Sequence, residues 1–217
     1  MAEIIPQSEP RALELAVSAL KSGELIVYPT DTVYGLGCAA GNDEAVRRLF
    51  AAKGRSPSKA LPLLIADSKM AAWIADVTPL AHNLMSGLWP GPLTIVMRRL
   101  ETFRSLALAG GDTIALRVPD HNFARDMIAG VGEPVVGTSA NRSGGRPPVS
   151  AAEAAFQMGD MVAFTMDGGR ARGVESTVID ITLDTGPAIV REGAVGREEV
   201  ERALGRRLAA PAMGNGK

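Results

Sequence analysis

Leu25-Ile26-Val27-Tyr28-Pro29-Thr30-Asp31-Thr32-Val33-Tyr34-Gly35-Leu36-Gly37 joins a short, β-rich apolar run to a turn crowded with hydroxyls, one acid and two glycines. Pro29 has no N–H to give a ladder and stops the run, so Leu25 to Tyr28 reads as a strand. Its end delivers a polar turn, and on α/β sheets ligands gather at strand ends. The bland alternative is that Thr30, Asp31 and Thr32 only cap a β-turn.

Working outward, Leu13, Ala16, Val17 and Leu20 repeat at helical spacing, with Pro10 near the start and Gly23 past the end. On the other side, Asn42 reads as a helix cap. Asp43 and Glu44 follow in the first turn, Ala45, Val46, Leu49 and Phe50 form the buried stripe, and Gly54 is the stop. Further strands are expected at Leu61 to Ile65, Leu93 to Met97, Thr113 to Val118, Pro134 to Gly137, Met161 to Met166, Ser176 to Ile181 and Ala188 to Arg191. Helices are expected around Met70 to Ile74, Pro79 to Met85, Phe123 to Ile128 and Glu198 to Leu204. Ser150 and Glu153 form a capping box that opens one more, to about Met158. Strands and helices mix along the whole length without an internal linker, which predicts one α/β domain over 8–207 and a loose tail at 208–217.

Composition narrows the function. The 217 residues carry 23 Lys and Arg against 24 Asp and Glu, and 46% are hydrophobic, enough for a single core. The lone Cys38 excludes a disulfide framework or a thiolate zinc site, and His82 and His121 have no partner at ligand spacing. The Val77 to Met97 stretch lacks Lys, Arg, Asp and Glu, but Pro79, Gly87, Pro90, Gly91 and Pro92 break it as a membrane span. With no positively charged, apolar leader at the N-terminus, a cytoplasmic protein with no membrane partner is expected.

Several constellations carry possible chemistry. Gly35-x-Gly37-x-x-x-Gly41 is one residue too long for a dinucleotide fingerprint, and its helix starts only after Asn42, so that reading is rejected. Lys53-Gly54-Arg55-Ser56-Pro57-Ser58-Lys59 concentrates three cations at a helix end and loop in a chain of net charge −1, which suits a small polyanion. The plain alternative is dipole complementation and a solvated loop. Gly137-Thr138-Ser139-Ala140-Asn141-Arg142-Ser143-Gly144-Gly145 follows an apolar strand and is equally readable as a connection. Arg117 and Arg191 interrupt or end buried strands. Each needs an anion there, either an internal carboxylate such as Asp180 or a ligand.

These motifs, with Trp89-Pro90-Gly91-Pro92-Leu93-Thr94, Leu116-Arg117-Val118-Pro119, Glu175-Ser176-Thr177 and Arg191-x-Gly193, stand in the order and spacing of the YrdC-like family. That family comprises the L-threonylcarbamoyladenylate synthases, and the resemblance covers about residues 10 to 205. It implies a twisted, open, mixed α/β sheet flanked by helices, with a concave basic cavity. It further implies condensation of L-threonine, bicarbonate or CO2 and ATP to threonylcarbamoyl-AMP and pyrophosphate, the first step toward threonylcarbamoyladenosine in tRNA. Partners would be the downstream tRNA threonylcarbamoyl transferase machinery, with weak tRNA binding. The chain stops where a linker to a second domain begins in long members, so it resembles the short form.

On this resemblance Lys53 and Arg55 act at the reaction centre and, with Lys59, hold the triphosphate. Thr138, Ser139, Asn141, Ser176 and Arg191 hold the nucleotide, Thr32 and Arg117 hold threonine, and Mg²⁺ arrives with ATP. Long members carry a His soon after the Lys-x-Arg loop, whereas this chain reads Lys59-Ala60-Leu61-Pro62. No general base is legible. The competing reading from another class is an RNA-binding module using the basic cluster with Arg142 and Arg146. Two Trp, two Tyr and five Phe give it little to stack bases on. The family's hydrogenase-maturation relatives, which make carbamoyl-adenylates for another acceptor, sit in much longer chains.

Overall fold

A computed structural model describes residues 2–208. The elements run β1 (Glu3–Pro6), α1 (Ala12–Lys21), β2 (Ile26–Tyr28), β3 (Gly35–Gly37), α2 (Asp43–Lys53), β4 (Leu63–Leu64), α3 (Ser68–Ala71), α4 (Pro79–Leu88) and β5 (Leu93–Arg98). They continue with β6 (Thr113–Arg117), α5 (Asn122–Val131), β7 (Val135–Val136), β8 (Thr138–Ser139), α6 (Ala151–Met158), β9 (Phe164–Asp167), β10 (Thr177–Asp180), β11 (Ala188–Arg191) and α7 (Arg197–Leu204).

The α/β class holds, but the single sheet is two mixed sheets, ordered β1-β9-β2-β3-β8 and β11-β10-β5-β6-β4-β7. The division falls at the end of the strand expected over Pro134 to Gly137, and Thr138 and Ser139, read as a connection, form a strand of the other sheet. Val135 and Val136 pair with β4, Thr138 and Ser139 pair with β3, and Gly137 between them changes sheets. A Cβ on Gly137 would lie 2.9 Å from Leu64 Cδ2, so only a glycine lets the backbone cross that close to β4.

Local chemistry sets the helix ends. Asn42 Oδ1 accepts from the Ala45 amide at 3.0 Å, and Gly54 closes α2 in the left-handed region at φ 60°. At α6, Ser150 Oγ accepts from the Glu153 amide at 3.2 Å, but Glu153 returns to the Val149 amide at 2.9 Å, one residue earlier than in the expected box. In α1 the buried face is Ala12, Ala16 and Leu20, while Leu13 stays 38% exposed. Within Val77 to Met97 the chain turns from α4 into β5, and no helix among the described residues is long and apolar enough to cross a membrane.

Besides Thr138–Ser139, two more strands lay outside the expected elements. Glu3–Pro6 pairs in parallel with Phe164–Asp167, so the sheet begins before residue 8. Gly35–Gly37, read as turn, is a strand, because the Tyr28 ring lies across it. A Cβ on Gly37 would meet Tyr28 Cε1 and the Val136 carbonyl oxygen, each at 2.7 Å. At the other end Leu208 is buried, its amide donating to Glu201 Oε1 at 3.0 Å, so it is not tail. Residues 209–217, the rest of the expected tail, lie outside the described residues. One contiguous core runs through both sheets, including Ile26, Leu36, Leu63, Ile95 and Leu116. Each such side chain contributes about 1.5–3 kcal/mol.

Candidate active site

The polar turn after β2 is buried, with Thr30, Asp31 and Thr32 all less than 9% exposed, so its polar atoms need protein partners. Thr30 Oγ1 donates to the Val33 carbonyl at 2.7 Å and accepts from the Thr32 amide at 3.2 Å, the local turn that the bland reading anticipated. The remaining groups meet Arg117 from the end of β6. Its Nε donates to the Gly91 carbonyl at 3.0 Å, Nη1 to Thr32 Oγ1 at 2.9 Å, and Nη2 pairs with Asp31. The carboxylate facing Arg117 is therefore Asp31, not Asp180, whose Oδ1 is occupied by the amide and hydroxyl of Thr182 at 2.8 and 2.7 Å. Burial pushes the Arg117 pKa down, and Asp31 opposes that shift. Each Nη keeps a second N–H.

Lys53, the last residue of α2, reaches Nζ to the Ser139 carbonyl at 2.5 Å and the Asn141 carbonyl at 2.8 Å. The 139–145 loop in turn donates the Ser143 amide to the Lys53 carbonyl at 2.9 Å, so loop and helix end clasp each other. Asn141 Nδ2 bridges the carbonyls of Arg142 and Gly145, at 2.9 and 2.6 Å, while its Oδ1 is buried without a protein partner. Arg55 braces the 54–60 loop from Nη2 to the Ala60 carbonyl at 2.9 Å.

From the second sheet, Ser176 Oγ lies 2.8 Å from Thr94 Oγ1 and accepts from Arg191 Nη2 at 3.0 Å. Arg191 also holds the Ser176 carbonyl, at 2.8 Å, and pairs with Glu175 at 3.3 Å.

Arg117, Lys53, Arg55, Asn141, Ser176 and Arg191 face one cavity of about 540 Å3, within the range of small-molecule sites. Thr32, Lys53, Arg55, Lys59, Arg117, Thr138, Ser139, Asn141, Ser176 and Arg191, each expected from sequence, all line it. The lining holds five cations against one carboxylate, Glu175, in a chain of net charge −1, so the local field favours an anion. Glu175, Thr94 and Ser143 also line it without having been assigned a role. Thr94 and Glu175 stand inside quoted motifs, and Ser143 two residues past Asn141. Position in the motif was the only signal for them. Gly35 lines the cavity beneath the Tyr28 ring, and no helix starts on it.

The family model Sua5_yciO_yrdC, described as "Telomere recombination", matches residues 18–193. The chain is 37% identical over 203 residues to the threonylcarbamoyl-AMP synthase of Pyrococcus abyssi (strain GE5 / Orsay), covering 93% of this chain and 59% of that protein. It is 36% identical over 193 residues to the threonylcarbamoyl-AMP synthase of Bacillus subtilis (strain 168), covering 88% and 56%. The chain thus spans less than two thirds of these relatives' length. The crystal structure of P. abyssi Sua5 complexed with L-threonine superposes with a TM-score of 0.88 at 36% identity, over 95% of this chain and 62% of that one. A motif set that converges on one basic hollow, inside a sequence matched from residue 18 to residue 193, places this chain in the Sua5_yciO_yrdC family.

Proposed function

We propose that this chain condenses L-threonine, bicarbonate and ATP to threonylcarbamoyl-AMP and pyrophosphate, the reaction that opens threonylcarbamoyladenosine synthesis in tRNA. One observation carries the reading: side chains scattered from Thr32 to Arg191 face a single hollow whose size suits a nucleotide plus one small zwitterion. The names of the P. abyssi and B. subtilis relatives support the reaction, and the threonine held by P. abyssi Sua5 supports the amino acid.

In this reading Lys53, Arg55 and Lys59 face the triphosphate, and Thr138, Ser139, Asn141, Ser176 and Arg191 hold the nucleotide. The unpartnered Asn141 Oδ1 is an acceptor waiting for a ligand donor. Arg117 presents its remaining N–H groups to the threonine carboxylate beside Thr32, since a planar fork matches a carboxylate. Pre-formed positioning and charge supply most of the rate, as in other displacements at phosphorus. The donor set, one carboxylate among several hydroxyls, fits a Mg²⁺ that arrives on the triphosphate and keeps its waters. The product, a mixed anhydride, passes to the tRNA threonylcarbamoyl transferase machinery in the cytoplasm.

The RNA-binding alternative has exposed Arg142 and Arg146 on its side, but the converging groups enclose a nucleotide-sized hollow rather than track a strand. Incubating the chain with ATP, Mg²⁺, bicarbonate and each amino acid in turn should give pyrophosphate with threonine above the others. RNA affinity that falls steeply with salt, without any ATP turnover, overturns the proposal.

A further inference from the structure

The condensation leaves one proton without a destination. Threonine enters as an ammonium, which has to become an amine before its nitrogen can bond to carbon. His82 and His121 do not line the cavity, and His121 Nδ1 is taken up by the Ala124 amide at 3.4 Å. Among the titratable groups that do, arginines hold their protons. Glu175 is paired with Arg191, and the fully buried Tyr28 hydroxyl donates to the Val136 carbonyl at 3.2 Å while burial drives its pKa up. Lys59 sits exposed on the 54–60 loop.

Lys53 differs from all of these. Its side chain is buried, 3% exposed, and its head is held by two backbone carbonyls rather than by a carboxylate salt bridge. Two acceptors need two N–H groups, and a neutral amine has two. Loss of the third proton therefore breaks neither bond and leaves the lone pair at the remaining tetrahedral position. The placement suits the substrate. Ser139, one of the two carbonyls, pairs with Gly35 of β3, the strand into which the Thr32-bearing turn runs.

Resting on the function proposed above, we propose that Lys53 is the proton acceptor for the threonine ammonium. The neutral Lys53 amine takes one ammonium proton and becomes Lys53–NH3+, leaving the threonine amine. That nitrogen bonds to the bicarbonate carbon while a C–O bond breaks, and the hydroxide leaves as water with the nitrogen's second proton. A carbamate oxygen then bonds to the α-phosphorus as the bond to the bridging oxygen breaks, and pyrophosphate departs with that electron pair. Lys53, now cationic, faces the charge of the carbamate and phosphoryl groups, which reconciles a base with a phosphate-facing lysine. It returns the proton to solvent when products leave.

The charges around it support a neutral form. Burial first, and Arg55 second, push the lysine down to about 8, with Glu175 opposing. Roughly a quarter is then neutral at pH 7.5.

Two measurements on the full chain test this. With ε-13C-lysine labelling, the one Cε resonance missing from Lys53→Arg should titrate near pH 8. Threonine-dependent pyrophosphate release should show a rising limb in kcat/KM with the same midpoint. Lys53→Arg should lose about 10²–10⁴-fold in turnover. Because arginine is larger than the buried site, Lys53→Ala provides a second arm: methylamine should restore its turnover in proportion to the free base. A Cε titration at the ordinary lysine pH, wild-type turnover in Lys53→Arg, or a folded Lys53→Ala that amines do not rescue overturns the proposal. Wild-type chain that releases no pyrophosphate with threonine overturns the functional reading instead, and the substrate-free titration still decides whether Lys53 is able to act as a base.

Discussion

Changing Asp31 to Asn removes one charge from a pair whose side chains are 7% (Arg117) and 4% (Asp31) exposed, while keeping the size of the turn residue. The guanidinium stays where β6 and the Gly91 carbonyl hold it, and little water reaches it. Deleting one member of a buried pair costs about 3–5 kcal/mol, because the other is left charged in a low-dielectric site. At about 2–4 °C per kcal/mol for a domain of this size, melting should fall by about 6–20 °C. The Asn carbonyl still accepts one N–H, which favours the lower part of that range. Calorimetry and urea unfolding of Asp31→Asn, Arg117→Met and the double variant separate stability from function. The double variant buries no lone charge and should return to within about 1 kcal/mol of wild type. Threonine-dependent pyrophosphate release should be lost in all three. An Asp31→Asn protein that melts with wild type, or a double variant no better than the sum of the singles, would refute the claim that Asp31 holds Arg117 ready as a carboxylate fork.

Arg55→Ala should raise KM for ATP by about 10–100-fold, the worth of one or two charge-assisted hydrogen bonds, and make that KM less sensitive to added KCl. Initial rates at two ionic strengths check this, and an unchanged KM moves the triphosphate elsewhere. Gly37→Ala should lower stability by about 1–3 kcal/mol in urea unfolding, since its Cβ would meet both Tyr28 and the Val136 carbonyl at 2.7 Å. Wild-type stability there would mean that the ring slides aside. Lys53 lowered from 10.5 to about 8 predicts a stability that depends on pH. Between those values the unfolded chain carries one proton more, so stability rises with pH relative to Lys53→Met and flattens on either side. Urea midpoints of the two proteins from pH 7 to 11 should diverge in that window, and parallel curves count against a depressed lysine.

What the sequence revealed follows from the range of the forces involved. The cap at Asn42 and the stop at Gly54 are local, so the start and end of α2 were readable from a dozen residues. The cavity residues were readable because strand ends carry the motifs, and ten scattered positions recur in one order. The partner of Arg117 was not, because its choice between Asp31 and Asp180 depends on how β6 faces a turn 85 residues earlier in the chain. β3 was hidden for a related reason. Glycines lower the strand signal, and here they are present because a distant aromatic ring needs the space.

The site also could not have been placed by either sheet alone. Ser139 belongs to the sheet of β2, β3 and β8, whereas Arg117, Thr94 and Arg191 belong to the sheet of β5, β6 and β11. Between them the chain passes from β7 to β8 through Gly137, whose amide is fixed to the Pro62 carbonyl at 2.8 Å. Lys53 then ties the far side of that crossing to α2 through the Ser139 carbonyl. The hollow thus exists because one backbone changes sheets at a point where only hydrogen fits as a side chain. The cations converge as a consequence of that crossing, and the repulsion among Lys53, Arg55, Arg117 and Arg191 is tolerated because Asp31, Glu175 and backbone carbonyls hold these four heads in place, while Lys59 stays exposed on its loop.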